Sequence, residues 1–302
     1  MASLKELKSR ISSVKNTQKI TKAMQMVAAA KLRKAQDAAE ASRPYSERMG
    51  AVISNLARSV SGGDAPELLV GNGNTDTVLL VVMTADRGLC GGFNTNIVRR
   101  AREEIVAQER AGRTVKLYLI GKKGRDQLKR LYEDRIVEYI SLKEERELHA
   151  GIAQEIGGDI VRRFREGEFG TAKLVYSQFE NVLTQNPVAQ QILPASVEHE
   201  VDNDEALAAE EETNDLQGAI YTYEPDEAGI LATLLPRNIN TQIFSALLEN
   251  QAGEMGSKMS AMDNATRNAG EMIDALTLTF NRTRQAKITS ELIEIISGAE
   301  AL

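Results

Sequence analysis

The sequence predicts an α/β protein with a large appendage: a long antiparallel coiled coil of the N- and C-terminal helices, joined to a three-layer α/β domain with a mostly parallel sheet. Three observations lead there. Near the C-terminus Met255, Met262, Ala269, Leu276 and Thr283 recur every seven residues, and Met259, Thr266, Ile273, Phe280 and Lys287 repeat the interval four positions on. Two such tracks form a narrow, mostly apolar seam for a partner helix. The middle of the chain alternates apolar runs of strand length with amphipathic helical stretches, the pattern of a βα repeat. Aromatics are only 4% of 302 residues and Trp is absent, which suits long helices packed through Ala, Met and Leu better than a compact enzyme core.

The N-terminal shaft helix is assigned to residues 1–60. Leu4, Leu7, Ile11 and Val14 step at three and four, and the apolar face is read onward through Ile20, Met24, Val27, Leu32 and Ala35. Pro44 is expected to kink or break this helix. The glycine- and proline-bearing stretch from Ser61 to Pro66 ends it.

The α/β domain is assigned to residues 61–235. Thr77–Met83 reads as a buried strand and 97–110 as a helix. Val115–Ile120 is a second strand, 122–131 a short helix, and Ile136–Ile140 a third strand. In the helix of residues 149–164, Ile152, Ile156, Ile160 and Phe164 recur every fourth residue; Ala172–Tyr176 and Ala189–Leu193 complete the sheet. This is a Rossmann-like succession. Residues 196–218, with nine acids and no Lys or Arg, read as a solvated loop, and Ala219–Tyr223 as a short strand.

The C-terminal shaft helix is assigned to residues 236–302 and pairs with 1–60. Read as one helix over 238–298, it would be about 90 Å long, too long for a domain of this size to enclose. Pro236 is expected to separate it from a preliminary helix. Met, Ala and Thr make a weak seam, which suits a rod that fits inside something else.

Net charge is −6, yet residues 1–34 hold nine Lys or Arg against one acid, Glu6. A basic end on an acidic protein points to an acidic partner. One cysteine, Cys90, excludes an intrachain disulfide. His149 and His199 lie far apart beside carboxylates and read as solvated. No window holds eighteen apolar residues and the first residues lack a signal-peptide core, so a soluble, unexported protein is expected.

The turn Gly88-Leu89-Cys90-Gly91-Gly92 follows a strand and precedes a helix, where phosphate loops occur. It has neither the G-x-G-x-x-G spacing nor the Lys-Ser/Thr ending of a P-loop. No nucleophile–base constellation, metal cluster or cofactor site emerges, so the chain is not expected to be an enzyme by itself. A basic coiled-coil adaptor for nucleic acid is the alternative, weakened by the missing aromatic interleaving.

Three segments carry a resemblance: Ile20-Thr21-Lys22-Ala23-Met24-Gln25-Met26-Val27-Ala28-Ala29 with Lys31-Leu32-Arg33-Lys34; Asp86 through Asn94; and Asn281 through Thr289, continuing to Gly298-Ala299. In order and across the whole chain, they resemble the gamma subunit of F-type ATP synthases, of bacterial type. The resemblance implies a non-catalytic central-stalk rotor. Its terminal helices would stand inside the ring of alpha and beta subunits, and its α/β domain on the membrane ring of c subunits beside epsilon. It implies no nucleic-acid partner, membrane association through the c ring only, and a place on the cytoplasmic face of the inner membrane.

Carried over residue by residue, the resemblance implies beta-subunit contacts for Lys22, Met24, Lys31, Arg33, Lys34, Arg284 and Gln285. It implies c-ring contacts for Tyr221, Tyr223 and Glu224. For Met24, coiled-coil packing is an equal reading. The acidic stretch has no role in the family; an inhibitor protein or epsilon is its second reading. The regulatory cysteine pair of chloroplast relatives cannot form with Cys90 alone.

Overall fold

A computed structural model describes residues 3–59, 65–145, 147–182, 184–195 and 227–300. Helix α1 (Leu4–Ser59) and the short α2 (Glu67–Val70) precede strand β1 (Thr77–Met83). Then come α3 (Phe93–Arg110), β2 (Thr114–Ile120), α4 (Lys122–Tyr132), β3 (Ile136–Ile140), α5 (Ala150–Arg165), β4 (Thr171–Phe179), β5 (Gln185–Leu193) and α6 (Glu227–Glu300). The chain divides into two compact units: residues 1–32, 89–91 and 255–302, and residues 33–88 with 92–254.

In the second unit the sheet order is β3-β2-β1-β4-β5. The first four strands are mutually parallel and β5 runs antiparallel to β4. Strand β1 is central and all but its first residue is buried, which is why its sequence is an unbroken apolar run rather than an alternation. Helices α3 and α4 cover one face, through Ile97, Ala101, Ile105 and Leu128. Under the other face, Ile152, Ile156, Ile160 and Phe164 of α5 join Leu235, Ile239 and Ile243 of α6 and Leu56 of α1 in a single core with Leu79, Val81 and Met83. Each such side chain contributes about 1.5–3 kcal/mol on burial. The three-layer α/β expectation holds.

Both prolines lie inside uninterrupted helices, Pro44 in α1 and Pro236 in α6, so neither ends a helix, and the described residues before Pro236 are part of α6 rather than a separate helix. The physical reason is packing. An internal proline costs about 3 kcal/mol, while Ile53 and Leu56 beyond Pro44, and Leu231, Leu235, Ile239 and Ile243 around Pro236, are all buried. Several buried side chains on each segment outweigh one lost backbone bond. The strand expected at 219–223 and the acidic loop of 196–218 lie outside the described residues.

Among the described residues no helix is long and apolar enough to cross a membrane.

Candidate functional site

In the first unit the beginning of α1 runs antiparallel to the end of α6. Gln18 donates from Nε2 to the Thr266 carbonyl at 3.4 Å, the Thr21 and Thr266 hydroxyls meet at 2.7 Å, and Gln25 Nε2 reaches Asp263 Oδ1 at 2.8 Å. As residue numbers rise along α1 they fall along α6. Gly270 permits the close approach, since a side chain there would press on the Gln18 amide. On α6 the two sevenfold tracks face inward as expected down to Thr283, with Met255, Met262 and Ala269 buried and Met259, Thr266, Ile273, Leu276, Phe280 and Thr283 half-buried, while Lys287, the last position of the second track, is exposed.

The seam on α1 departs from expectation. Ile20 and Val27 are 60% and 56% exposed, so they do not continue the apolar face. Leu4, Leu7, Ile11, Val14, Gln18, Thr21, Gln25, Ala28 and Leu32 form the buried or half-buried line of α1, with Met24 and Ala29 half-buried beside it. That is a strict sevenfold lattice, which carries polar residues in its middle rather than following the nearest apolar ones. Gln18, Thr21, Gln25 and Asp263 were not anticipated as functional positions. Extending the steps Leu4–Ile11 and Leu7–Val14 by seven is the signal that finds the first three.

Extending the register of Gln18 with Gly270 and Gln25 with Asp263 sets Leu4 opposite Arg284. Arg284 and Gln285 therefore lie where α1 begins and α6 continues alone. Both are exposed, as is every described residue onward to Ser297. Ile288, Leu292, Ile293, Ile295 and Ile296 are 49–68% exposed, an apolar concentration that a solvated helix end does not need.

The expected beta-contact residues thus fall into separate places. Lys22 and Lys31 are exposed on α1, Lys22 donating to Gln25 Oε1 at 2.9 Å, and Met24 is half-buried beside the seam. Asp263 marks that level on α6, and Arg284 is 21 residues further along, about 30 Å away at helical rise. Arg33 and Lys34 belong to the second unit and are exposed. Lys34 is already engaged, its Nζ lying 2.5 Å from Glu147 Oε1. That hydrogen bond and the lysine's charge hold the Glu147 carboxyl below its ordinary range. Tyr221, Tyr223 and Glu224 lie outside the described residues.

The glycine-rich turn is a structural joint. The Asp86 carboxylate accepts from Lys122 N, Ser141 Oγ and Leu142 N, each at 2.9 Å. Asn94 Oδ1 accepts from Ala85 N at 2.9 Å. Thr84 Oγ1 accepts from Gly124 N at 2.8 Å. These groups tie the ends of β1, β2 and β3 together, and so are committed to backbone partners rather than turned toward a phosphate. Gly121, at φ 91°, has the Thr84 carbonyl where a Cβ would stand, so only glycine fits.

The chain matches the family model described as ATP synthase over residues 3–302. It is 59% identical to the ATP synthase gamma chain of Brucella ovis over 302 residues, covering all of both chains. The gamma chain of Brucella anthropi is 58% identical over the same span. Among solved structures, a chain of the Euglena gracilis mitochondrial ATP synthase is similar in fold, with TM-score 0.65, 18% identity, and 99% of this chain and 94% of that one covered. A chain from the central stalk and c ring of the Tetrahymena thermophila enzyme gives TM-score 0.59 at 24% identity, covering 82% and 99%.

Proposed function

The chain belongs to the ATP synthase family, at gamma-chain identity across its full length, and from that premise we propose that it is the central-stalk rotor of a proton-translocating ATP synthase. Rotation of a membrane c ring turns it, and its terminal helices carry that rotation to the catalytic sites of an alpha/beta hexamer. It supplies no catalytic group of its own. The nucleic-acid adaptor reading falls with the family assignment.

The observation that carries the proposal is the shape of the first unit. Two helices pair through a thin seam with a polar middle, and one of them continues as a single helix bearing five exposed large aliphatics. Apolar side chains at the end of a rod are stable in a cell only when something covers them. A sleeve of partner subunits does so, and an aliphatic surface without fixed hydrogen-bond partners binds no single angular position strongly. Torque needs the opposite kind of contact lower down, where charge can engage one partner at a time. Lys22 and Lys31, on the helix that carries Met24, and Arg33 and Lys34 of the second unit supply cations for an acidic segment of beta. Arg284 and Gln285, at the base of the single-helix tip, supply hydrogen-bond donors for a beta loop.

As domains we propose a shaft of residues 1–60 and 236–302 and a body of 61–235 that meets epsilon and the c ring, with Tyr221, Tyr223 and Glu224 as c-ring contacts; the compact units divide at other bounds, after Leu32 and before Met255. For the acidic stretch of 196–218 a solvated loop is the first reading and contact with an inhibitor protein or epsilon the second. A peripheral position on the cytoplasmic face of a bacterial inner membrane suits these roles, with membrane association through the c ring alone.

Reconstitution tests the reading. The purified chain is expected to hydrolyse no ATP, and to restore hydrolysis when added to alpha and beta subunits. Intrinsic turnover, or no stimulation of an assembled hexamer, overturns it.

A further inference from the structure

Residues 93–135, which carry α3, β2 and α4, hold twelve Lys or Arg against six acids. Part of that excess is neutralised in place: Arg100 lies 3.5 Å from Glu104, Lys129 lies 3.2 Å from Glu133, and Arg135 pairs with Glu109. Arg99, Lys123 and Arg130 form no ion pair among the described residues. Nor does Arg102, which donates from Nη2 to the Gln127 carbonyl at 3.1 Å while its Nε is buried with no hydrogen-bond partner among the described residues. Guanidinium groups left in this condition favour any carboxylate that can come near them.

Two contacts set α3 beside α4. Arg102 meets Gln127 and Glu109 meets Arg135, 25 and 26 residues apart in sequence, so the helices run side by side in the same direction. At that offset Val106 comes level with Leu131, and these two aliphatics are 38% and 61% exposed. Arg99, Arg102 and Val106 step at three and four along α3, as Lys123, Gln127, Arg130 and Leu131 do along α4, so each set shares one helix face. The result is an apolar spot beside a line of cations. Asp126, Glu133 and Asp134 share the groove at Leu131, so an acidic occupant has to lay its charge toward Arg99 and Lys123.

The chain itself carries a segment of matching chemistry. Leu207 stands between two triplets of acids, Asp202, Asp204 and Glu205 before it and Glu210, Glu211 and Glu212 after it. Single exposed ion pairs are worth about 0.2–1 kcal/mol, so a free acidic peptide would hold this face poorly. A tethered one works at an effective concentration in the millimolar range, where a few such pairs suffice. The tether is long enough. Ala195 is fixed by its N–H to the Leu68 carbonyl at 2.8 Å, and Leu207 can lie up to about 40 Å from it, roughly the width of a domain this size.

We propose that residues 202–212 dock on the α3–α4 face, with Leu207 on Val106 and Leu131 and the carboxylates on Arg99, Arg102, Lys123 and Arg130. Docking gives the acidic stretch partners within its own chain and screens the face from other polyanions. None of these residues belongs to the rotor contacts proposed above, and the docking does not depend on them.

Zero-length carbodiimide crosslinking of the full chain tests this, read by mass spectrometry on an equal mixture of isotope-labelled and unlabelled protein. Links within one chain are expected from acids of residues 202–212 to Lys122, Lys123 or Lys129 of α4. Arg99→Glu with Arg130→Glu should cut their yield about tenfold, with the Lys34–Glu147 link as the unchanged internal control. Both arginines are exposed; if the reversal still alters the circular dichroism, Arg99→Gln with Arg130→Gln takes its place, with a smaller loss expected. No such link, links between two copies only, links only to lysines outside α4, or an unchanged yield in a correctly folded variant overturns the proposal.

Discussion

The hydroxyls of Thr21 and Thr266 lie 2.7 Å apart across the two terminal helices, in the polar middle of a seam that is apolar toward Leu4 and toward Leu32. Each hydroxyl also lies within reach of a carbonyl of its own helix, Thr266 of Met262 at 2.8 Å and Thr21 of Gln18 at 3.1 Å, and with one hydrogen apiece the bond across the seam is made by whichever turns from its own helix. With Gln18 and Gln25 on either side, this polar layer marks one register of the helix pair, as buried polar residues do in other coiled coils. Thr21→Val is expected to cost about 1 kcal/mol, and Thr21→Val with Thr266→Val less than the two singles combined, by about 0.5–1 kcal/mol. Chemical denaturation of the four proteins measures the coupling, and strict additivity would deny the bond.

Gly121 and Gly112 form a natural control pair. Both have positive φ, 91° and 77°, but an added Cβ meets the Thr84 carbonyl at the first and open space at the second. Gly112→Ala is expected to cost about 1 kcal/mol for its conformation alone. Gly121→Ala should cost at least about 2 kcal/mol more, read as a lower melting temperature. Equal losses would mean that the joint of β1 and β2 tolerates widening.

Glu104 is buried and held by Lys173 Nζ at 2.6 Å and Gln108 Nε2 at 2.7 Å. Burial by itself raises its pKa, but these hydrogen bonds and the charges of Lys173 and Arg100 bring it below 4.5. A carboxyl depressed in the folded state contributes stability that is complete above its unfolded value and lost as pH falls through its folded one. Glu104→Gln is therefore expected to flatten the stability profile below about pH 5. Near neutrality it should lose stability toward the lower end of the about 3–5 kcal/mol typical of broken buried pairs, because Lys173 keeps partial exposure. A profile parallel to wild type across the acid limb would count against the pair.

The exposed aliphatics of the tip separate folding from assembly. Leu292 is 54% exposed. Leu292→Glu should change the stability of the free chain by no more than about 0.5 kcal/mol while weakening association with alpha and beta at least tenfold. Normal assembly by this variant would leave the tip without its sleeve.

Much of this architecture was legible in residue spacing. The heptads from Met255 to Thr283 and the run Thr77–Met83 each bury one consistent set of side chains, so local pattern and tertiary role agree. The misreadings have a common cause. Ile20 and Val27 drew the expected face of α1 off its sevenfold lattice because hydrophobicity outranked geometry; Gln18, Thr21 and Gln25 hold the seam because a coiled coil needs position before polarity. Pro44 signalled a kink or break and Pro236 a helix boundary, yet both helices run on, because burial of Leu56, Leu235 and Ile239 outweighs one missing N–H. Arg284 and Gln285 were named through resemblance alone; only the register of α1 on α6 shows why the chain places them at the base of a solitary helix.

Single-molecule rotation tests the central claim most directly: alpha and beta subunits are fixed to a surface, this chain carries a bead on its α/β body, and ATP is added. Stepwise rotation in one direction, at a rate matching hydrolysis, is the expected result. Sustained hydrolysis by the assembled complex with the bead stationary or wandering at random would contradict it.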